Sequence, residues 1–138
     1  MKKVLFFSVA LILCLAVPAL AENYVKADQF KQWLAASKPM LIVDIQPAEQ
    51  FAKNHFKNSI ETQAFPAKTD EDKKKLDAIL PKLQSSKDPI VIMCPRGKLG
   101  AKNTYVHLKG KGIPESRLFI LEDGIQGWPY KELFVQGK

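Results

Sequence analysis

Apolar residues follow two rhythms along this chain. Met40–Ile45, Pro89–Met93 and Arg117–Leu121 are runs of strand length with almost no alternation, the pattern of strands buried on both faces of a parallel sheet. Between them the apolar positions recur at helical spacing. Phe30, Trp33 and Leu34 give an amphipathic helix over 28–34, and Ala101, Tyr105 and Leu108 give another over 101–108 that Gly110 and Gly112 stop. Leu76, Ile79, Leu80 and Leu83 predict one charged helix across 69–83, capped by Thr69 or Asp70, with Glu71 and Asp72 suited to its first turn. Lys73, Lys74 and Lys75 form its solvated outer face. Shorter signals are a helix over 47–52 with Pro47 in its first turn, a strand over 59–62, and Glu122-Asp123-Gly124 turning the last strand. Gly127-Trp128-Pro129 closes a short helical segment before the tail. Strands alternating with helices predict an α/β domain with a largely parallel central sheet and, through right-handed crossovers, helices on both faces.

The first residues change the arithmetic. Lys2 and Lys3 precede an apolar run from Val4 to Leu15, Pro18 breaks it, and Ala19-Leu20-Ala21 has the small-x-small form of a cleavage site. Residues 1–21 therefore read as a cleavable signal peptide, too short for a membrane span, and the expected location is periplasmic or secreted. Cys14 follows the bulky Leu13, which argues against lipidation. The remaining 22–138 suit a single domain, with 19 Lys and Arg against 14 Asp and Glu. That excess fits a small anionic substrate or solubility, and no arginine stripe with interleaved aromatics points to nucleic acid. After leader removal no stable membrane association is expected, and a monomer is.

Cys94 is then the only cysteine, in a compartment where thiols oxidise, so no internal disulfide can form. Ligands for a structural zinc are wanting, and no metal or cofactor is expected. Cys94 ends an apolar strand, and Pro95-Arg96-Gly97-Lys98 leads into a helix. A helix N-terminus presents unpaired N–H groups and partial positive charge, which hold anions and favour a thiolate. Arg96 and Lys98 add two charges, while Pro95 removes one donor. This is an arrangement for nucleophilic attack on a group carried by an anion.

The assembled motifs resemble the rhodanese-like sulfurtransferases, in particular the single-domain exported kind, over about residues 25–130. Leu41-Ile42-Val43-Asp44-Ile45-Gln46, then Glu49-Gln50-Phe51 and Asn54-His55-Phe56, are similar to the family's Asp-containing strand, Glu-x-(Tyr/Phe) helix and Gly-His-Ile segment. Leu121-Glu122-Asp123-Gly124-Ile125-Gln126-Gly127-Trp128 is similar to its Leu-x-Gly-Gly-x-x-x-Trp ending. The resemblance implies that Cys94 takes the outer sulfur of thiosulfate or a similar donor as a persulfide and passes it to a thiol or to cyanide. Arg96, Gly97, Lys98, Leu99 and Gly100 would form the substrate-binding loop. His55 would be structural, bonded near the first strand, with Asp44 one partner; His107 receives no role.

Several residues depart from the family pattern. Leu99 offers neither charge nor hydroxyl, Gln46 stands where Arg is usual, and Asn54 and Asp123 replace glycines at positions expected to need positive φ. The alternative is a non-enzymatic module of the same fold that binds anions or carries and senses persulfide. A Cys-x5-Arg phosphatase or arsenate reductase needs an arginine where Gly100 stands. A thioredoxin-like reductase would need a second cysteine at Gly97.

Overall fold

A computed structural model describes residues 21–138, so all of the expected leader except Ala21 lies outside the described residues. Five parallel strands form the central sheet in the order β1–β6–β5–β2–β4. They are β1 (Tyr24–Val25), β2 (Leu41–Asp44), β4 (Ile60–Glu61), β5 (Ile90–Met93) and β6 (Leu118–Leu121). β3 (His55–Phe56) lies outside this sheet and pairs antiparallel with β7 (Phe134–Val135). β2 and β5 are adjacent, with Asp44 opposite Met93, which sets the end of one strand beside the end of the other.

Alternate residues of each long strand feed opposite faces, as the two-residue period requires. Val43, Ile90, Ile92, Leu118 and Ile120 face one side. There they meet Leu76 of α3 (Asp70–Asp77), Leu83 of α4 (Leu80–Gln84), and Tyr105 and Leu108 of α5 (Leu99–Gly110). Ile42, Val91, Met93 and Leu121 face the other, against Phe30 of α1 (Ala27–Ala35), Phe56 and Trp128. Helices therefore cover both faces, as the alternation of runs predicts. The second face is aromatic: Phe30, Phe56 and Trp128 meet edge to face at 5.0–5.7 Å between centroids. Each such pair adds about 0.5–1.5 kcal/mol beyond its area.

The expected helix over 69–83 is two helices. Pro81 lacks an N–H, and in a continuous helix its ring would meet the carbonyl of Asp77, where α3 ends. Of the two proposed caps Thr69 is the one used. Its side chain accepts the Asp72 N–H at 3.1 Å while the Asp72 carboxylate accepts the Thr69 N–H at 3.3 Å, a reciprocal box. The final helix starts at Leu99, two residues earlier than its apolar spacing indicates, and Gly110 is its last residue rather than its stop. The segment ending in Gly127-Trp128-Pro129 is a series of turns rather than a helix. Two of the expected glycine-like positions differ: Asp123 has φ 64°, whereas Asn54 is extended at φ −152° and needs no special freedom. The short strands β1, β3 and β7 carry too few residues to show a period. Among the described residues, no helix is long and apolar enough to cross a membrane.

Candidate active site

Cys94 is the first residue beyond β5, and its side chain is only 1% exposed. The loop after it is held from behind by the turn at 122–127. The Cys94 carbonyl accepts the Ile125 N–H at 3.0 Å, and the Pro95 carbonyl accepts the Gln126 N–H at 2.9 Å. With both carbonyls engaged there, loop donors are left for the cysteine: the Gly97 N–H reaches the Cys94 Sγ at 2.9 Å. Leu99, Gly100 and Ala101 open α5, where the first-turn N–H groups have no intrahelical acceptor.

The close fit of loop and turn depends on two glycines. Gly97 has φ 67°, and a Cβ there would stand 2.6 Å from the Leu121 carbonyl oxygen. Gly124 has φ 63°, and its Cβ would stand 2.5 Å from the Gly97 nitrogen and closer still to the Cys94 oxygen. Neither position admits a side chain without moving backbone.

Of the predicted site residues, Cys94, Arg96, Lys98, Leu99 and Gly100 line one depression of about 400 Å³. Gly97 lies behind them, touching the cysteine through its N–H and lining a neighbouring hollow with Lys102 and Glu122. Arg96 and Lys98 are exposed, and among the described residues neither forms a salt bridge. The depression can thus hold a small anion between cations and amides, above a recessed sulfur. Four of its walls were not read from the sequence: Gln50, Phe65, Pro66 and Gln126. Gln126 lies in the family-like segment and could have been found there; nothing local marks Phe65. Its ring packs over Gly100, where a Cβ would meet it at 2.9 Å.

The neighbouring strand end behaves differently. Asp44 is fully buried and both carboxylate oxygens accept from Gln46, one from its N–H at 2.9 Å and one from Nε2 at 3.0 Å. Gln46 Nε2 also donates to the Asn54 carbonyl at 3.0 Å. Burial pushes the Asp44 carboxyl up to about 6, against the opposing pull of the two Gln46 bonds. His55 does not bond Asp44, as had been expected. Its Nδ1–H donates to the Phe51 carbonyl at 2.8 Å, and its ring stacks on Phe51 at 3.9 Å. Nor does it line the Cys94 depression, so no geometry supports it as a base there. His107, left without a role by the sequence, bonds Asp77 at 2.7 Å and pins α5 to α3. That bond, ahead of the nearby charges, holds the Asp77 carboxyl below its usual range.

Comparison with known proteins places the chain. The family model described as rhodanese-like domain matches residues 26–131. Among solved structures, a rhodanese-like domain protein from Staphylococcus aureus is 24% identical, covering 84% of this chain and 99% of its own, with a TM-score of 0.61. A yeast protein tyrosine phosphatase of the rhodanese family is 14% identical, covering 87% and 96%, with a TM-score of 0.63. A thiosulfate sulfurtransferase from Pseudomonas aeruginosa is 18% identical and covers 85% of this chain but 20% of its own, with a TM-score of 0.64. No curated protein matches by sequence. At these identities the structural likenesses establish the fold.

Proposed function

The chain belongs to the rhodanese-like domain family, and from that premise we propose that it is a sulfurtransferase that moves sulfane sulfur from thiosulfate, or a similar small anion, to a thiol or cyanide. The observation carrying this reading is the Cys94 Sγ accepting the Gly97 N–H at 2.9 Å beneath a rim bearing two cations that, among the described residues, have no carboxylate partner. The Gly97 N–H holds the sulfur in place, and the cations receive the donor's charge. The Cys94 thiolate attacks the outer sulfur of thiosulfate. A new S–S bond forms, the bond to the sulfonate sulfur breaks, and sulfite leaves with its electron pair. The acceptor thiolate or cyanide then attacks the terminal sulfur, and Cys94 regains its thiolate. One covalent intermediate linking two half-reactions predicts ping-pong kinetics.

The structural neighbours include a phosphatase, and Gly100 argues against that chemistry here. It stands where a bidentate arginine would be required, and a side chain there would first have to displace the Phe65 ring. Export is proposed on the basic–apolar–small pattern of residues 1–21, and the intact mass of the exported protein should begin at Glu22.

Sulfur transfer is tested directly. After treatment with thiosulfate, the peptide containing Cys94 should gain the mass of one sulfur atom, with sulfite released in equal amount. Cys94→Ser should fold normally, since Cys94 is a free thiol, and lose both signals. Thiocyanate formation that survives in Cys94→Ser would overturn the mechanism.

A further inference from the structure

Cys94 is recessed in a depression whose lining includes Phe65 and Leu99, and these two residues are 40% and 64% exposed. A third exposed apolar residue lies on the same flank. Val106, 60% exposed, is seven residues beyond Leu99 on α5 and so on the same helical face. The opposite face of α5, with Ala101, Tyr105 and Leu108, is buried in the core. The segment from Phe65 is fixed along this helix: Asn103 Nδ2 donates to the Pro66 carbonyl at 3.1 Å, and Asn103 and Val106 line one hollow with Lys68 and Lys73. Single exposed apolar residues need no explanation, but these three continue from the mouth of a recessed thiol.

Along the sequence the charge of this stretch is one-sided, although in space Glu122 and Asp123 join Arg96, Lys98 and Lys102 around one hollow. Residues 89–114 hold five Lys and Arg and no Asp or Glu. The rest of 22–138 is balanced, fourteen against fourteen, so the whole positive excess sits on the Cys94 strand, its loop and α5. Lys109 is paired with Glu115 at 2.9 Å and Lys111 lies 3.6 Å from Asp77. Among the described residues, Arg96, Lys98 and Lys102 have no carboxylate partner.

We propose that the strip Phe65–Leu99–Val106, with Lys102 beside it, is a docking surface for an acidic protein segment that carries the acceptor thiol to Cys94. The inference rests on the sulfur-transfer reading above and names its acceptor class. Apolar contact would supply affinity, and the free cations would steer and orient the segment. An anionic membrane would also meet the charge, but it brings no thiol to a sulfur that is recessed.

The probes are three synthetic peptides: an Asp/Glu-rich one with one leucine and one cysteine, its Lys-rich counterpart, and the acidic peptide with Ser for Cys. The acidic Ser peptide, labelled and followed by anisotropy, should bind without any sulfur chemistry and weaken as salt rises. Lys102→Glu and Val106→Glu should each weaken that binding, together by about tenfold, and lower kcat/KM for the acidic thiol peptide equally. Thiocyanate formation from cyanide should be unchanged in Val106→Glu, since Val106 lines a different hollow from Cys94. Val106→Lys separates the contributions, since it removes the apolar contact while adding charge.

Equal binding of acidic and basic peptides, or indifference to both Glu variants, overturns the docking proposal even if cyanide turnover is intact. Acidic-peptide binding without persulfide formation leaves docking standing and sinks the sulfurtransferase reading. If Val106→Glu and Lys102→Glu reduce adsorption to phosphatidylglycerol vesicles but not peptide binding, the surface belongs to a membrane and the proposal fails.

Discussion

Asp44 ends β2 and Cys94 directly follows the end of the adjacent parallel strand β5, on the same edge of the sheet, and each is followed two residues later by a long polar side chain. The Asp44 end closes on itself. Gln46 folds back, fills both carboxylate oxygens, and is 2% exposed. At the Cys94 end the carbonyls are taken by the turn behind, while Arg96 points to solvent and the loop offers an N–H to sulfur. A strand end in an open sheet is thus not a site by position alone. What separates the two is which backbone and side-chain groups already have partners. The closed end is a fixed wall, and the open end keeps donors and cations for something that arrives.

The sharpest way to break the contrast is to disturb the backing of the open end. Gly124→Ala puts a Cβ into the Gly97 nitrogen and the Cys94 carbonyl at a positive φ, and Gly97→Ala strikes the Leu121 carbonyl. Each should cost about 1–3 kcal/mol of stability in urea unfolding, as strained backbone does. Thiocyanate formation should fall by about two orders of magnitude, because a nucleophile displaced by about 1 Å loses that much. Persulfide yield at full rate in Gly124→Ala would mean that the turn does not shape the loop.

Changing the closed end should affect stability more than turnover. The Asp44 carboxyl, raised from 3.8 to about 6 mainly by burial, binds its proton more tightly folded than unfolded. Its contribution is therefore fully present below about pH 3.8 and lost as pH rises through about 6, a swing of about 3 kcal/mol. Asp44→Asn removes the charge but turns an amide N–H₂ toward the Gln46 donors, costing about 1 kcal/mol. The variant should be more stable than the parent at pH 8 by about 2 kcal/mol and less stable at pH 4. Urea titrations at the two pH values test this, and parallel curves for parent and variant would refute the assignment.

Long buried strands were legible because their runs need no partner to be recognised, and the Cys94 loop was legible because glycine and charge cluster within a few positions. What escaped was made by distant residues. β3 and β7 are two residues each and exist only because His55–Phe56 and Phe134–Val135 pair across the chain. Phe65 lines the depression that holds the cysteine from a loop whose sequence gives no period. The break at Pro81 was visible in principle, but the spacing of Leu76, Ile79, Leu80 and Leu83 outweighed it. His55 bonds the Phe51 carbonyl rather than Asp44, and a contact to backbone leaves no trace in side-chain identity.

The smallest effects should come from the rim of the open end. Arg96 and Lys98 line the depression, both are exposed, and among the described residues neither is paired. Exposed cations act on an anion through screened solvent, so each is expected to be worth on the order of 0.5–1 kcal/mol. Arg96→Ala or Lys98→Ala should raise the KM for thiosulfate by about two- to fivefold and lower kcat less. The Gly97 N–H would remain to act on the sulfur itself. Raising salt should increase the parent's KM and affect the variants less, because the screened charge is already gone. The double variant separates capture from chemistry: if KM rises while persulfide formation at saturating thiosulfate is retained, the cations gather the donor and the backbone carries out the transfer. A kcat that falls as far as KM rises would instead put the cations on the departing sulfite, in the transition state rather than at the entrance.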